Sequence, residues 1–256
     1  MPITSSFDPY SAEVITAQQM IRPIADFPDT MIVTFQPRTF DVLLREYQTT
    51  PLGNLALEEV SDSTTQSQVV AITHDGRRLA AFLSPVGAPT TVASLEEAIA
   101  YGVKKFVVFG SCGALVPDLA AGGLIVPTAA YRDEGTSYHY AVPSDYIKVA
   151  TSTRTSEILT DMGIPHTAGR VWTTDAFYRE TQSNVAKRVA EGCIAVDMET
   201  SALAALAQFR SVDIHQFLFA ADALTTTAWD PGVLGKLPAE PRARYIRIAA
   251  DIAVRL

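Results

Sequence analysis

The sequence predicts a single α/β domain in which a mixed, largely parallel central sheet is flanked by helices on both faces. Three observations carry this expectation. Short apolar runs alternate along the chain with segments of helical periodicity, the pattern of successive strand and helix units. At 256 residues and 48% hydrophobic content the chain can bury a substantial core. No repeat, low-complexity tract or clear linker divides it, so one domain is the simplest account. We divide it into an irregular N-terminal arm, residues 1–30, and a domain over 31–256.

The arm is rich in proline and polar residues, with Pro23 and Pro28 breaking any periodicity, and suits a surface path against a neighbouring subunit. Residues 31–35 read as the first buried strand and 40–47 as a short helix after the loop Gln36-Pro37-Arg38-Thr39. Runs 68–73 and 78–83 form a hairpin around Asp75-Gly76, a pair that favours a type I′ turn. The helix that follows ends near Gly102. Its start is set either by Pro89 at the first helical position or by a capping box of Ser94 and Glu97. Residues 105–113 (KFVVFGSCG) are a buried strand ending in a glycine turn, and 124–128 a further strand. Beyond these, 145–162 reads as a helix stopped by Gly163, 166–174 as a strand and 181–191 as a helix. The apolar run 194–196 ends a strand, and Met198, Ala202, Leu203 and Leu206 continue at helical spacing. Residues 214–221 form the last core strand, 225–238 a flap with Pro231, Gly232 and Gly235, and 241–256 an amphipathic helix.

Composition narrows the partners. A net charge of -8 with no Lys/Arg-rich block argues against nucleic acid. The two cysteines, Cys112 and Cys193, adjoin apolar runs and read as small buried hydrophobes, so neither a disulfide framework nor a cysteine metal site is expected. The first residues lack the basic and apolar regions of a signal peptide, and no apolar run reaches the roughly 18 residues needed to span a bilayer. The expectation is a cytoplasmic protein acting on small polar molecules, without metal or cofactor.

Four places carry chemistry. Where the chain passes from strand to helix at Asp197, Glu199 is placed to accept both hydroxyls of a sugar diol while Met198 packs an apolar sugar face. Asp197 alone reads more simply as a helix cap. In Gly110-Ser111-Cys112-Gly113, the turn can aim backbone N–H groups and the Ser111 hydroxyl at an anion, or simply close a strand over a buried Cys112; the motif alone does not choose. Asp222, directly after an apolar strand, is either a turn residue or a partly desolvated carboxyl that holds a proton at neutral pH and acts as a general acid. Phe177, by itself, reads as a core aromatic. The run Tyr131 to Tyr140 (YRDEGTSYHY) stays unassigned on its residues alone, where Arg132, Asp133 and Glu134 are compatible with an ordinary solvated charge cluster and His139 with a packed or hydrogen-bonded histidine.

The run Val-Asp-Met-Glu at 196–199, followed by a small-residue helix, resembles the sugar-binding signature of the nucleoside phosphorylase/nucleosidase family, whose members include purine nucleoside and uridine phosphorylases. Gly-Ser-Cys-Gly resembles that family's phosphate loop, and Arg-Asp-Glu-Gly-Thr-Ser a segment found near its active site and subunit contact. The likeness extends over nearly the whole chain from residue 31. It implies a phosphorylase/hydrolase-like fold and phosphorolytic cleavage of a nucleoside, purine favoured, to free base and ribose 1-phosphate, with inorganic phosphate as co-substrate. By this likeness Met198 and Glu199 hold ribose, Phe177 stacks the base, Asp222 contacts purine N7 as the catalytic acid, and Gly110, Ser111 and Arg38 bind phosphate. It also implies a homo-oligomer, dimer, trimer or hexamer, with sites completed across subunits.

Two departures matter. Family phosphorylases begin with a Gly-Asp-Pro-x-Arg loop and carry an arginine two residues before the glycine turn. Here those places read Phe35-Gln36-Pro37-Arg38-Thr39 and Val108. A dianion needs charge-assisted donors, so Arg132, Arg170, Arg179 or a neighbouring subunit has to supply the missing cation. The alternatives are a nucleosidase that uses water, although the early glutamate of the related hydrolases is absent, and an inactive nucleoside-binding sensor.

Overall fold

The computed structural model describes residues 3–55, 68–117, 119 and 121–256. Among these residues all eleven strands join one sheet, and the sheet partly closes on itself. The strands are β1 (Thr30–Thr34), β2 (Thr50–Asn54), β3 (Gln68–His74), β4 (Arg77–Leu83), β5 (Lys105–Ala114), β6 (Leu124–Asp133), β7 (Tyr146–Lys148), β8 (His166–Thr174), β9 (Cys193–Asp197), β10 (Asp213–Leu224) and β11 (Trp229–Asp230). The order runs β11-β10-β6-β8-β9-β5-β1-β4-β3-β2, with β7 on β6. Because β10 also pairs in parallel with β5, the strands β5, β10, β6, β8 and β9 form a closed ring from which β1, β4, β3 and β2 extend as an open wing.

The helices are α1 (Ala17–Met20), α2 (Pro37–Glu46), α3 (Ala88–Ala100), α4 (Ser137–Tyr140), α5 (Ser152–Asp161), α6 (Gln182–Ala190), α7 (Thr200–Arg210) and α8 (Ala239–Val254). Side chains alternate across a strand, so β5 buries residues toward two cores at once. Val107 and Phe109, with Ile32 and Phe217, pack against Phe40 and Leu43 of α2, Ile158 and Leu159 of α5, and Ile246 and Ala250 of α8. Phe106 and Val108, with Met31 and Val33, pack against Val92 and Leu95 of α3 and Leu203 and Leu206 of α7. Phe109 stacks on Phe217 at 5.3 Å between centroids, tying β5 to β10. Each such aromatic contributes about 1.5–3 kcal/mol by burial.

Local chemistry accounts for the boundaries. Pro37 and Pro89, each in a first helical turn, set the starts of α2 and α3, so the earlier of the two possible starts for α3 is the real one. Asp75 and Gly76 both take positive φ, 45° and 75°, as a type I′ turn requires. The Thr181 hydroxyl caps α6 by accepting the Asn184 N–H. Two expectations need correction. The stretch 145–162 is not one helix: 146–148 pairs with β6 as β7, which places Ile147 in a core, and only Ser152–Asp161 is helical. Asp222 does not follow the last strand but lies within it, because β10 runs on to Leu224 through a register shift between Ala220 and Asp222.

The arm before β1 holds only a single 3-10 turn, Ile3–Ser5, and the short α1 among its described residues. It crosses its own chain. The Phe7 ring meets the edge of Phe209, and Glu13 reaches Arg210, which also holds Glu96 at 2.9 Å. No helix among the described residues is long and apolar enough to cross a membrane.

Candidate active site

The carboxyl ends of β5, β8, β9 and β10 bring the sequence-marked residues to one end of the closed ring. Gly113 of β5 is paired with Val196 of β9 on one side and Asp222 of β10 on the other. That contact is close: a Cβ on Gly113 would lie 2.4 Å from Leu224 Cδ1, 3.1 Å from Val196 Cγ1 and 3.6 Å from Asp222 Oδ1. A side chain there would force Leu224 to shift, so the smallness of glycine lets β9 and β10 pack close on either side. Cys112 beside it feels both Asp197 and Asp222, which with burial hold its thiol well above the usual range. The thiol is inert.

Asp197 builds the turn. Its Oδ2 accepts the N–H groups of Glu199 at 3.2 Å and Thr200 at 2.8 Å and the Thr200 hydroxyl, while Oδ1 accepts the Thr173 hydroxyl at 2.7 Å. This is the capping role, performed from three residues before α7. Four bonds occupy the carboxylate and fix the backbone that presents Met198, half-buried, and Glu199, buried.

Glu199 Oε1 accepts the N–H of Gly87 at 2.7 Å, linking the first turn of α3 to that of α7. Gly87 takes φ 105°, so the amide is aimed by a backbone shape that side-chain-bearing residues rarely adopt. Burial, and after it the charge of Asp197, raises the Glu199 carboxyl to about 8. The free protein therefore holds it protonated near neutrality.

Asp222 Oδ2 accepts the indole N–H of Trp229 at 2.8 Å. Burial raises its pKa and the indole bond lowers it, with the rise dominant. Glu180, in the loop before α6, is pushed to about 7 by burial and by the charge of Asp222. The charge of Asp222 thus reaches Glu180 and disfavours its ionisation. Sequence reasoning overlooked Glu180, although its place three residues after Phe177 in a loop that follows a strand end was a usable signal. It also overlooked Trp229, Gly87 and Thr173, whose roles depend on contacts distant in sequence.

Phe177 is not a core aromatic. It sits in a 3-10 turn, Phe177–Arg179, 48% exposed, with its ring 4.0 Å from that of Tyr178. The run from Arg132 to Tyr140 is not a solvated charge cluster either. Arg132 and Glu134 are buried; Glu134 accepts the Ser201 hydroxyl at 2.8 Å and the Ser137 N–H at 2.9 Å, bracing α7 from behind.

The anion side is assembled differently from the sequence expectation. Residues 110–113 are not a turn but the last part of β5, paired with β10; Ser111 there is half-buried, and the Phe35 ring closes on Gly110, within 2.8 Å of where a Cβ would stand. Arg38 points its guanidinium to the Gly235 carbonyl in the flap at 3.0 Å. Val108, at the place of the expected second arginine, is wholly buried. Arg132 is committed to Ser137 and Val142, and Arg170 to the Glu191 carbonyl.

The family model of the phosphorylase superfamily matches residues 29–242. The chain belongs to the phosphorylase superfamily. Within it, the chain is 30% identical over 156 residues to a guanosine phosphorylase of Halorubrum lacusprofundi, an alignment covering 59% of this chain and 63% of that protein. It is 29% identical over 157 residues to a DeoD-type purine nucleoside phosphorylase of Caldanaerobacter subterraneus, covering 60% and 68%. The first of these matches thus spans less than two thirds of the relative's length. Among solved structures, a uridine phosphorylase of Vibrio fischeri superposes with TM-score 0.74 at 20% identity, over 96% of this chain and 100% of that one. A purine nucleoside phosphorylase of Toxoplasma gondii superposes with TM-score 0.71 at 20% identity, over 93% of each. The superfamily fold and the single α/β domain agree.

Proposed function

We propose that the chain cleaves the N-glycosidic bond of a nucleoside by phosphorolysis, with purine nucleosides preferred, releasing free base and ribose 1-phosphate. The observation that carries this reading is that Gly113 lies between Asp222 and Val196, the residue that leads into the turn presenting Met198 and buried Glu199, at one end of a superfamily fold. Bond cleavage develops positive charge on the ribose and negative charge on the departing base. Ionised Glu199 holds the ribose hydroxyls and its charge favours the cationic sugar, while Met198 packs the sugar face. Asp222, supported by Glu180, donates to N7 of the departing purine, and exposed Phe177 covers the ring. Phosphate is received by Ser111 near the end of β5, with Arg38 released from Gly235 and a further cation supplied by a second copy of the chain. The resemblance of the chain to guanosine and purine nucleoside phosphorylases supports the purine side.

One observation favours a second reading, hydrolysis by water: the Phe35 ring against Gly110 and the apolar Val108 leave the anion side poorer in cations than a dianion requires. One assay separates them. Purified protein with inosine, adenosine, guanosine and uridine, with and without phosphate, should release base only with phosphate and faster from purines. Release independent of phosphate would establish hydrolysis. Nucleoside binding without release would leave a sensor.

A further inference from the structure

A second group of ionisable side chains stands at the opposite end of the sheet from the candidate active site. The β3–β4 hairpin carries His74 and Asp75, and the last turn of α8 carries Asp251. β4 runs parallel to β1, and β1 to β5, so the hairpin that precedes β4 lies at the amino ends of these strands. Gly113 and Asp222 lie near the carboxyl ends of theirs. One ring nitrogen of His74 and one oxygen from each carboxylate lie within 4.8 Å of one another. Solvent reaches all three: Asp75 is exposed, and the side chains of His74 and Asp251 keep 17% and 35% of their surface.

The ring is held from behind. His74 Nδ1 lies 3.1 Å from the hydroxyl of Tyr47, the residue after α2, and Nε2 is directed at Asp251 Oδ1, 2.7 Å away. A hydrogen-bonded His–Asp pair needs only one carboxylate, so Asp75 is in excess. Two carboxylates this close repel each other unless a cation stands between them. Among the described residues no lysine or arginine pairs with either: Arg247 is spent on Glu46, and Arg255 donates to the Asp251 carbonyl. Burial, and after it the charges of Asp251, Glu46 and Asp75, hold the Tyr47 phenol above its ordinary range although Arg247 opposes them. Negative potential is thus concentrated on one side of an oriented imidazole.

One nitrogen and two carboxylate oxygens select the ion by chemistry. Ca²⁺ and Mg²⁺ take oxygen ligands, whereas an imidazole with carboxylates suits Zn²⁺ and its first-row neighbours. Zn²⁺ in tetrahedral geometry sits about 2.0–2.2 Å from such ligands and so separates them by roughly 3.4 Å, within reach of these side chains by small rotations. We infer that His74, Asp75 and Asp251 form a site for one divalent transition-metal ion, zinc fitting best, with water in the fourth position. The two carboxylates match the charge of the ion. In the neutral ring the proton moves from Nε2 to Nδ1, so that Nε2 ligates and Nδ1–H donates to the Tyr47 oxygen. The ion clamps the hairpin to the closing helix, and no step of the proposed reaction passes through it.

The test titrates EDTA-stripped protein with ZnCl₂ by calorimetry, follows thermal melting with and without the salt, and locates the ion in soaked crystals by anomalous scattering. One Zn²⁺ should bind per chain and raise the melting temperature, and neither MgCl₂ nor CaCl₂ should displace it. His74→Gln, Asp75→Asn and Asp251→Asn should each weaken binding roughly tenfold or more, and Tyr47→Phe, which keeps every ligand, about tenfold. Asp75→Asn keeps the fold should the others perturb it, because asparagine accepts the positive φ of the turn. Affinity unchanged in Asp75→Asn and Asp251→Asn overturns the inference by giving the ion to another histidine. Zinc seen only in soaked crystals, with no calorimetric binding, overturns it as well, as does displacement by Mg²⁺. None of these readouts involves nucleoside or phosphate, so their failure leaves the proposed reaction standing.

Discussion

Replacing Glu199 by glutamine separates its charge from its shape. The amide keeps an oxygen for the Gly87 N–H, so the contact between α3 and α7 survives, while the negative charge is lost. Hydrogen bonds to an ionised acceptor contribute about 1.5–3 kcal/mol each, so weakening two of them to the ribose diol costs roughly 3 kcal/mol, or about 100-fold in nucleoside affinity. This loss applies to the ionised protein. Because the wild-type carboxyl titrates at about 8, affinity should climb with pH, from about 100-fold below its plateau at pH 6 to about 10-fold below at pH 7. In Glu199→Gln that climb should vanish. Stability moves oppositely. The folded-state pKa is raised from 4.5, so the unfolded chain ionises first, and this carboxyl's contribution is lost as pH rises from about 4.5 toward 8. The integral is up to roughly 5 kcal/mol, and Glu199→Gln should melt higher than wild type above pH 8. Titration calorimetry with inosine between pH 6 and 9, with thermal melts over the same range, reads both effects. Wild-type affinity flat through pH 8, or a glutamine variant that binds as tightly as wild type at pH 9, would refute the assignment.

Three further outcomes are expected. Asp222→Ala should lower kcat/KM at least 100-fold for inosine while changing uridine much less, since only the purine offers N7; equal losses would make Asp222 structural. Trp229→Phe removes the indole donor that holds the Asp222 pKa down, so the base-side limb of the pH profile should move to higher pH, and an unmoved limb would uncouple the flap from the chemistry. Gly113→Ala places a methyl 2.4 Å from Leu224 Cδ1, and an overpacked core loses about 1–3 kcal/mol, measurable as a lower denaturant midpoint.

Much of the scaffold was legible because apolar periodicity dictates it. The strand at 105–114, the type I′ turn at Asp75-Gly76 and the closing helix follow from patterns only a few residues long. The stretch 145–162 misled because its first residues pair with β6, a contact made by tertiary register and not by local propensity. At the candidate site, the motif around Glu199 was visible as a strand end followed by turn chemistry, whereas Gly110–Gly113, read as a turn, continues β5 because β10 pairs with it. Glu180 was not, since its perturbed proton affinity arises only when folding buries it beside Asp222. Phe35 shows the converse: its identity could be read from the chain, but its seat on Gly110 could not.

The closed ring makes the appearance of the site a late event. β5 completes its pairing only when β10, more than a hundred positions downstream, docks beside it, and such distant closure is slow to form. A chain still emerging from synthesis holds Gly113 and Glu199 but no Asp222 until β10 is made. Ligand affinity for the whole cleft thus certifies a finished fold, and a nucleoside analogue that contacts both carboxyls would serve as a folding aid, drawing β10 into place.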